Sequence, residues 1–264
     1  MKNWIDLDRR VVIVTGGASG VGASISATLR ANGAIVVVAD LRTNDDVPGW
    51  SDRFVTCDTT DKASVEALVA DVVETYGHVD ALVNNAGVNR PRLLVDFYGE
   101  KPEYEATEAD FDFITGVNQK GPFLCAQAVT RHFVERQSGV IVNISSEAGA
   151  EGSAGQSLYA ATKAALNGFT RSWAKELGQH GIRVVGVAPG INKRTAMNSD
   201  ANYAALAYTR GLDPDLIDDD YASSIPLRRV GELGEIADLV SYLVSDHASY
   251  ITGTTLNVTG GKSR

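Results

Sequence analysis

The chain has little cysteine, little proline and no long apolar run. Its 264 residues include only 2 Cys and 7 Pro. Cys57 and Cys125 form no C-x-x-C pair, so we expect neither a disulfide framework nor a metal site. No apolar stretch approaches the roughly 20 residues of a membrane helix, and the opening MKNWIDLDRR is too polar for a signal peptide. We therefore expect a cytoplasmic protein with no membrane partner.

An excess of basic residues is also missing. The chain carries 24 Lys and Arg against 33 Asp and Glu, a formal net charge of −9. This balance argues against a nucleic-acid partner, because phosphate backbones are bound by clustered positive charge. No fixed-period repeat and no Ser/Pro-rich linker interrupts the chain. We therefore predict one domain over residues 1–264 rather than a solenoid or a two-domain protein.

The chain does contain a regular alternation of β-branched runs and amphipathic stretches. The predicted strands are Val11–Thr15, Ile35–Asp40, Arg53–Cys57, Ala81–Asn84, Val140–Ser145, Arg183–Ala188 and Thr255–Val258. The predicted helices are Val21–Asn32, Lys62–Tyr76, Glu108–Arg136, Ser157–Gln179 and Glu232–Ser245. This order predicts an α/β fold, a Rossmann-type doubly wound sheet of seven parallel strands with helices on both faces. Only residues 41–52 link the second and third strands, so we expect an irregular or one-turn connection there.

A glycine-rich turn, T-G-G-A-S-G-V-G, follows the first predicted strand and opens the first helix. Gly16, Gly20 and Gly22 permit a tight turn and let backbone N–H groups approach a pyrophosphate. Asp40 ends the second strand about 20 residues further on, where a carboxylate accepts the ribose hydroxyls of NAD. Its charge repels the 2′-phosphate of NADP, so NAD is the expected cofactor. Arg42 is the one nearby residue that could blur this choice, although a solvated arginine in a loop is the favoured interpretation of it.

Tyr159 and Lys163 form Y-A-A-T-K within a predicted helix, so their side chains lie one turn apart on the same face. A free phenol has a pKa near 10, and a tyrosine that acts as a base needs a lower one. An adjacent ammonium and the positive ring of an oxidised nicotinamide can supply that shift. Ser146 follows the strand V-I-V-N-I-S, at the sheet edge where ligands bind, and its hydroxyl can hold a substrate oxygen.

These motifs together resemble the short-chain dehydrogenase/reductase family over essentially the whole chain. The resemblance rests on T-G-x-x-x-G-x-G, N-N-A-G, Asn118, Ser146, Y-x-x-x-K and Pro189–Gly190. It implies an alcohol dehydrogenase or ketoreductase, a homotetramer, and a catalytic tetrad of Asn118, Ser146, Tyr159 and Lys163. The NAD site that it implies, combined with the glycine turn, comprises Gly16, Ser19, Gly20, Val21, Gly22, Asp40, Leu41, Asp58, Thr59, Asn85, Ala86, Gly87, Tyr159, Lys163, Pro189, Gly190 and Asn192.

Asn118 lies in the middle of a predicted helix, and Pro122 follows four residues later. Proline has no N–H, so the carbonyl of Asn118 loses its usual helical donor and we predict a kink there. The kink serves either packing alone or the binding of a water. In the family such a water connects Lys163 to solvent.

Several positions near Ser146 and Tyr159 in the sequence are polar, and they favour a polyhydroxylated substrate, because unpaired buried polar groups penalise ligands that lack hydroxyls. They are Glu147, Glu151, Ser153, Gln156 and Ser157. An exposed polar loop is the alternative interpretation.

Basic residues follow two of the strands whose ends should face substrate. Arg90 and Arg92 come after N-N-A-G, and Lys193 and Arg194 come after Pro189–Gly190. They suggest a phosphate site, although salt bridges between subunits explain any one of them equally well. The candidate substrate residues are Arg90, Arg92, Glu147, Gln156, Lys193 and Arg194.

Several segments, including A-P-G-I-N-K-R-T, are similar to a branch of the family that oxidises D-glucitol 6-phosphate to D-fructose 6-phosphate with NAD. The alternatives are a dehydrogenase of unphosphorylated sugars or polyols, a 3-oxoacyl reductase, and a non-catalytic dinucleotide-sensing module. The pattern P-G-x-I-x-T usual in the family is altered here and places Thr195 one residue late. Residues 191–225, with Tyr203, Tyr208, Tyr221 and the acidic run Asp218–Asp220, are expected to form a substrate lid.

Overall fold

A parallel β-sheet forms the centre of the computed structural model, which describes residues 4–43, 51–195, 200–213 and 222–263. Within these ranges all seven predicted strands are present, with ends that shift by one residue or not at all. They are β1 (Val11–Thr15), β2 (Ile35–Asp40), β3 (Arg53–Thr56), β4 (Ala81–Asn84), β5 (Gly139–Ile144), β6 (Ile182–Pro189) and β7 (Thr255–Val258).

The strand order is β3-β2-β1-β4-β5-β6-β7, and every pair is parallel. β1 and β5 are buried along their whole length, which explains their unbroken apolar sequence, since helices cover both faces of such a strand. The chain winds outward from β1 in one direction through β2 and β3, and from β4 in the other. The crevice between β1 and β4, at their carboxyl ends, is where this topology places a ligand.

Helices cover both faces of the sheet. They are α1 (Gly20–Ala31), α2 (Lys62–Tyr76), α3 (Glu108–Thr115), α4 (Gly121–Arg136), α5 (Ala148–Glu151), α6 (Ser157–Leu177), α7 (Asp200–Arg210) and α8 (Leu233–Val244). One apolar core joins α1 and α8 to the sheet through residues such as Ile25 and Val240. The other joins α2 and α4 to the opposite face through Leu68 and Val129. The predicted doubly wound fold is confirmed.

The helix predicted over Glu108–Arg136 is interrupted. A π-helical turn, Gly116–Lys120, separates α3 from α4, and the N–H of Gly121 donates to the carbonyl of Gly116. The interruption ends at Lys120, two residues before Pro122, which has no N–H to continue an α-helical ladder. The sequence predicts a kink at Asn118, and the structure has a π-helical turn at this position.

Some sequence predictions fall outside the described ranges. Residues 44–50 of the link before β3, and Tyr221 and Asp218–Asp220 of the expected lid, are among them. Within the ranges that are described, no helix combines the length and apolar character needed to cross a bilayer.

Candidate active site

A cleft of about 710 Å³ opens at the carboxyl ends of the strands. Every residue of the NAD site predicted from the sequence lines it, as do Ser146, Glu147, Gln156, Arg90 and Lys193. A cleft of this size suits a dinucleotide and a small substrate. The structure therefore brings the glycine turn and the Y-x-x-x-K pair into one continuous site.

The glycine turn requires glycine at three positions. Gly16 and Gly20 have positive φ angles of 62° and 52°, a conformation that L side chains rarely adopt. A Cβ on Gly22 would lie 2.1 Å from the carbonyl oxygen of Gly16. Ser19 occupies the N-cap of α1, but its hydroxyl does not cap the helix. The turn therefore leaves a cradle in front of the helix N-terminus, and this fits the pyrophosphate of a dinucleotide.

Asn85 holds the glycine turn from the side of β4. Its Nδ2 donates to the carbonyl oxygens of Thr15 at 3.0 Å and Gly16 at 2.9 Å. The hydroxyl of Thr15 in turn accepts from the backbone N–H groups of Asn85 and Ala86, each at 3.1 Å. The side chain of Asn85 thus shapes the turn, a positioning contact that the motif N-N-A-G alone does not reveal.

Asp40 lies at the cleft edge where the second strand ends. Its Oδ2 accepts from the N–H of Ala18 at 3.1 Å and its Oδ1 from the N–H of Leu41 at 2.7 Å. The carboxylate thus orients toward the glycine turn, as a ribose ligand requires. At the same end, Asp58 accepts from the backbone and hydroxyl of Thr60.

Lys163 is fixed by the end of β5. Its Nζ donates to the carbonyl oxygen of Ile144 at 2.8 Å, and the hydroxyl of Ser145 donates to the carbonyl oxygen of Lys163 at 2.9 Å. Only 4% of Lys163 is exposed, and burial lowers its pKa to about 8, because a desolvated ammonium is costly. A Cβ on Gly149 would lie 2.6 Å from the carbonyl carbon of Lys163, so α5 packs directly on this position.

Tyr159 lies beside Lys163, whose Nζ is 5.6 Å from the centre of the phenol ring. Burial raises the pKa of Tyr159, and the negative charge of Glu147 adds to the increase. A hydrogen bond with Ser146 acts in the opposite direction. The protein groups by themselves therefore keep the phenol protonated at neutral pH, and the lower pKa that a base needs is not produced by Lys163 alone.

Asn118 is fully buried behind the cleft. Its Oδ1 accepts from the N–H of Val88 at 2.8 Å, and its Nδ2 donates to the carbonyl of Val88 at 2.9 Å and to the hydroxyl of Thr162 at 3.2 Å. A Cβ on Gly87 would lie 3.4 Å from this Oδ1 and 3.5 Å from the Nζ of Lys163. The four residues of the predicted tetrad are thus brought together, with Asn118 tying the segment after β4 to α6.

The residues after β7 contribute to the cleft, which the sequence did not indicate. The Nζ of Lys262 lies 2.8 Å from Oε1 of Glu147, and the hydroxyl of Ser263 donates to Oε2 at 3.0 Å. The Glu147 side chain is 13% exposed, and the two partners stabilise its charge in that position. A negatively charged acceptor therefore faces the cleft directly after Ser146.

Arg210, at the end of α7, is a second cleft residue that sequence reasoning missed. Its Nη2 donates to the hydroxyl of Ser153 and to Oε1 of Gln156, both at 3.2 Å. Ser153 and Gln156 were predicted from the sequence as polar substrate-side residues, and with Glu151 they do line the cleft. Ser157, predicted with them, is exposed at the start of α6.

The four basic residues predicted for a phosphate each pair with a carboxylate of the chain. Arg90 and Arg92 share Asp110, at 3.2 and 3.7 Å. Lys193 lies 2.7 Å from Glu232, and Arg194 lies 3.4 Å from Asp200. Arg90 and Lys193 line the cleft, whereas Arg92 and Arg194 do not.

Known proteins are similar to this chain in sequence and in fold. The family model for the short chain dehydrogenase matches residues 10–205. The chain belongs to the short-chain dehydrogenase/reductase family. It is 48% identical to the sorbitol-6-phosphate 2-dehydrogenase of Klebsiella pneumoniae over 266 residues, which cover 100% of both chains.

More distant members of the family have other activities. The chain is 35% identical to the 3-oxoacyl-[acyl-carrier-protein] reductase of Thermotoga maritima, covering 97% of this chain and 98% of that one. The crystal structure of levodione reductase superposes with a TM-score of 0.85 at 32% identity, over 97% of this chain and 98% of that one. As a member of this family the chain is an oxidoreductase that acts on CH–OH groups and uses a nicotinamide dinucleotide.

Proposed function

We propose that the protein is an NAD-dependent dehydrogenase that interconverts a polyol phosphate and a ketose phosphate, namely D-glucitol 6-phosphate and D-fructose 6-phosphate. The observation that carries this proposal is the charged and polar wall of the cleft around Tyr159, formed by Glu147, Gln156 and Arg210. Such a wall suits a hydroxyl-rich anion and penalises an acyl chain. The full-length similarity to a sorbitol-6-phosphate 2-dehydrogenase supports the same substrate.

The residues divide the chemistry of alcohol oxidation among them. Ser146 holds the substrate oxygen, and Tyr159 takes the hydroxyl proton as the carbon is oxidised. With the cofactor bound, Lys163 would favour the ionised phenol and would hold the ribose, while Asn118 keeps the segment after β4 in place behind it. The bound nicotinamide supplies the hydride acceptor in oxidation and the hydride donor in reduction.

Steady-state kinetics with a substrate panel test this proposal. We expect D-glucitol 6-phosphate with NAD to give the highest kcat/KM among D-glucitol 6-phosphate, unphosphorylated D-glucitol and, for reduction, an acetoacetyl thioester. A preference of at least tenfold for the phosphorylated polyol is expected, because a charge-assisted hydrogen bond is worth about 1.5–3 kcal/mol. Equal or better turnover of the free polyol, or of the thioester, would replace this proposal with the corresponding alternative.

The choice of NAD over NADP is assigned to Asp40. We expect Asp40→Ala to raise the KM for NAD by about 10- to 100-fold, because the acceptors for the ribose hydroxyls are lost. The ratio of kcat/KM for NAD to kcat/KM for NADP should also fall, because the charge that repels the 2′-phosphate of NADP is removed. Asp40→Asn is the matched variant, because it keeps an acceptor oxygen for Ala18 and removes only the charge. Asp40→Asn should use NADP better than wild type does, and it should lose less affinity for NAD than Asp40→Ala. A wild-type enzyme that already prefers NADP would contradict the assignment.

We also propose the lid over 191–225, a homotetramer and a cytoplasmic location. Support for the lid comes from α7, which places Asn202, Tyr203, Leu206 and Arg210 along the cleft. For the tetramer, exposed aromatic side chains on α3 and α4, among them Phe111 and Phe123, suit subunit contacts. Light scattering on the purified enzyme in solution measures the mass of the assembly and so tests the proposed tetramer.

A further inference from the structure

Glu147 places a carboxylate next to Ser146, the residue proposed to hold the substrate oxygen. Two consecutive side chains of an extended strand point to opposite faces, but the chain turns as soon as β5 ends. Glu147 has helical φ and ψ angles of −53° and −36°, and its backbone N–H donates to the carbonyl oxygen of Pro189 at 3.0 Å. Because of this turn, Ser146 and Glu147 both line the cleft.

Two observations locate the carboxylate group itself. A Cβ on Gly190 would lie 3.1 Å from Oε2 of Glu147, so the carboxylate lies against a residue of the cleft wall. Burial raises the pKa of the Tyr159 phenol, and the charge of Glu147 adds to that increase, so the carboxylate acts on the phenol electrostatically. It therefore belongs to the part of the wall that a substrate bound at Tyr159 meets.

The segment after β7 holds this carboxylate in place. The pair Gly260–Gly261 has positive φ angles of 63° and 90°, and with it the chain turns back from the end of β7. The N–H of Lys262 donates to the carbonyl of Thr259, and the N–H of Ser263 donates to the hydroxyl of Thr259, both at 3.3 Å. The turn brings Nζ of Lys262 to Oε1 of Glu147 and the hydroxyl of Ser263 to Oε2, so each carboxylate oxygen has its own donor.

A carboxylate held in this way suits a ligand with hydroxyl groups. It has about four lone-pair sites, and the contacts with Lys262 and Ser263 use two of them. The ammonium also offsets the cost of a negative charge at a mostly buried position. An ionised carboxylate accepts hydrogen bonds and donates none, so it matches the O–H donors of a sugar or polyol.

The sequence spacing fits two neighbouring hydroxyls of one substrate. Consecutive Cα atoms lie about 3.8 Å apart, and hydroxyls on adjacent carbons of a polyol are similarly close. If Ser146 holds the oxygen on the reacting carbon, Glu147 is the next residue along the cleft wall.

We infer that Glu147 is a specificity-determining residue that accepts a hydrogen bond from the hydroxyl on a carbon next to the one oxidised, and that Lys262 is the residue that positions it. The inference rests on the proposed function and deepens it, because a polyol or ketose carries this hydroxyl and a 3-oxoacyl thioester does not. It also makes the segment after β7 part of substrate recognition.

The test measures the reduction of D-fructose 6-phosphate and of its 1-deoxy and 3-deoxy analogues, each of which lacks one neighbouring hydroxyl. Wild type should lose about 10- to 150-fold in kcat/KM on one of the analogues, the effect of one hydrogen bond to a charged group. Glu147→Ala should lose as much on D-fructose 6-phosphate but less than about threefold on that analogue. An unchanged dissociation constant for NADH checks that the cleft of the variant is folded.

Lys262→Met tests the positioning role with the same substrates. It should lower kcat/KM for D-fructose 6-phosphate by about 10-fold, mainly through KM, and should change little on the analogue that lacks the bound hydroxyl. Lys262→Arg keeps the charge and should recover most of the loss. Lys175→Met, at an exposed position in the last turn of α6, is the control for loss of one positive charge and should retain wild-type kinetics.

Three results would overturn the inference. Equal losses of Glu147→Ala on all three substrates would make Glu147 structural, and a large fall in its NADH affinity would assign the carboxylate to the cofactor. Equal losses of Lys262→Met on D-fructose 6-phosphate and on both analogues would make Lys262 structural or a phosphate ligand.

Failure of the proposed function gives a different result. A wild-type enzyme that prefers an acetoacetyl thioester to either ketose would contradict the proposed function itself. If wild type prefers the unphosphorylated ketose, only the phosphate of the proposed function fails. D-Fructose and its deoxy analogues then replace the phosphates in the same test, because the hydroxyls next to the reacting carbon are the same.

Discussion

Tyr159→Phe is expected to lower kcat by about 10²- to 10⁴-fold while the dissociation constant for NAD stays within about threefold of wild type. The ring and its packing survive this change, and only the oxygen that exchanges the proton is lost. Stopped-flow or steady-state assays give the rate, and quenching of protein fluorescence by the cofactor gives the affinity. The effect should appear equally in oxidation and reduction, since the same oxygen takes and returns the proton.

Tyr250→Phe is the matched control, because Tyr250 is fully exposed and lies outside the cleft wall. It should retain wild-type kinetics. If Tyr159→Phe kept more than a tenth of wild-type kcat, another group would have to transfer the proton. A large fall in NAD affinity would mean that the phenol oxygen acts mainly in cofactor binding.

The second large effect is expected at Lys163, where one ammonium serves both chemistry and cofactor binding. Lys163→Met should lower kcat by at least 10²-fold and also weaken NAD binding, which separates it from Tyr159→Phe. The Nζ of Lys163 donates to the carbonyl of Ile144, and the residue is nearly fully buried. The two other lysines that line the cleft, Lys193 and Lys262, are paired with Glu232 and Glu147. An unchanged NAD dissociation constant would contradict the dual role.

Lys163 also predicts a pH dependence of stability. Its pKa is about 8 in the folded protein and near 10.4 in an unfolded chain. Between these values the unfolded state binds more protons, so the free energy of unfolding rises with pH. The gain is about 2 kcal/mol between pH 7 and 9.5, and Lys163→Met lacks it. Denaturant unfolding of both proteins at the two pH values measures the difference, and a parallel response of wild type and variant would show that Lys163 is not desolvated as described.

The sequence predicted those features of the fold and the site that are determined by residues close together along the chain. The glycine turn is encoded locally, because Gly16 and Gly20 adopt φ angles that other residues rarely tolerate. The pairing of Tyr159 with Lys163 follows from helical periodicity alone. Buried parallel strands such as β1 can be recognised in the sequence as unbroken apolar runs. These features needed no knowledge of tertiary contacts.

The parts that the sequence did not reveal depend on contacts between distant segments. Glu147 and Lys262 are separated by 115 positions, and nothing near either residue specifies the other. Arg210 meets Gln156 across 54 positions through the packing of α7. The carboxylate partners of Arg90, Arg92 and Lys193 were missed for the same reason, although the local sequence does identify Asp110 as a capping residue of α3. Arg194 and Asp200 are only six positions apart, so that pair did not depend on distant segments.

The π-helical turn between α3 and α4 has a consequence for how this enzyme tolerates changes in length. A residue added to a regular helix rotates everything beyond it by about 100°. The wider π-helical turn therefore sets the side chains of α4 at a different angle from the one that an unbroken α-helix continuing α3 would give. Deletion of one residue within Gly116–Lys120 would bring the two helices back into phase and turn the amide of Asn118 away from Val88. We therefore expect insertions and deletions to be accepted in surface loops of this chain but to inactivate the enzyme in this five-residue segment.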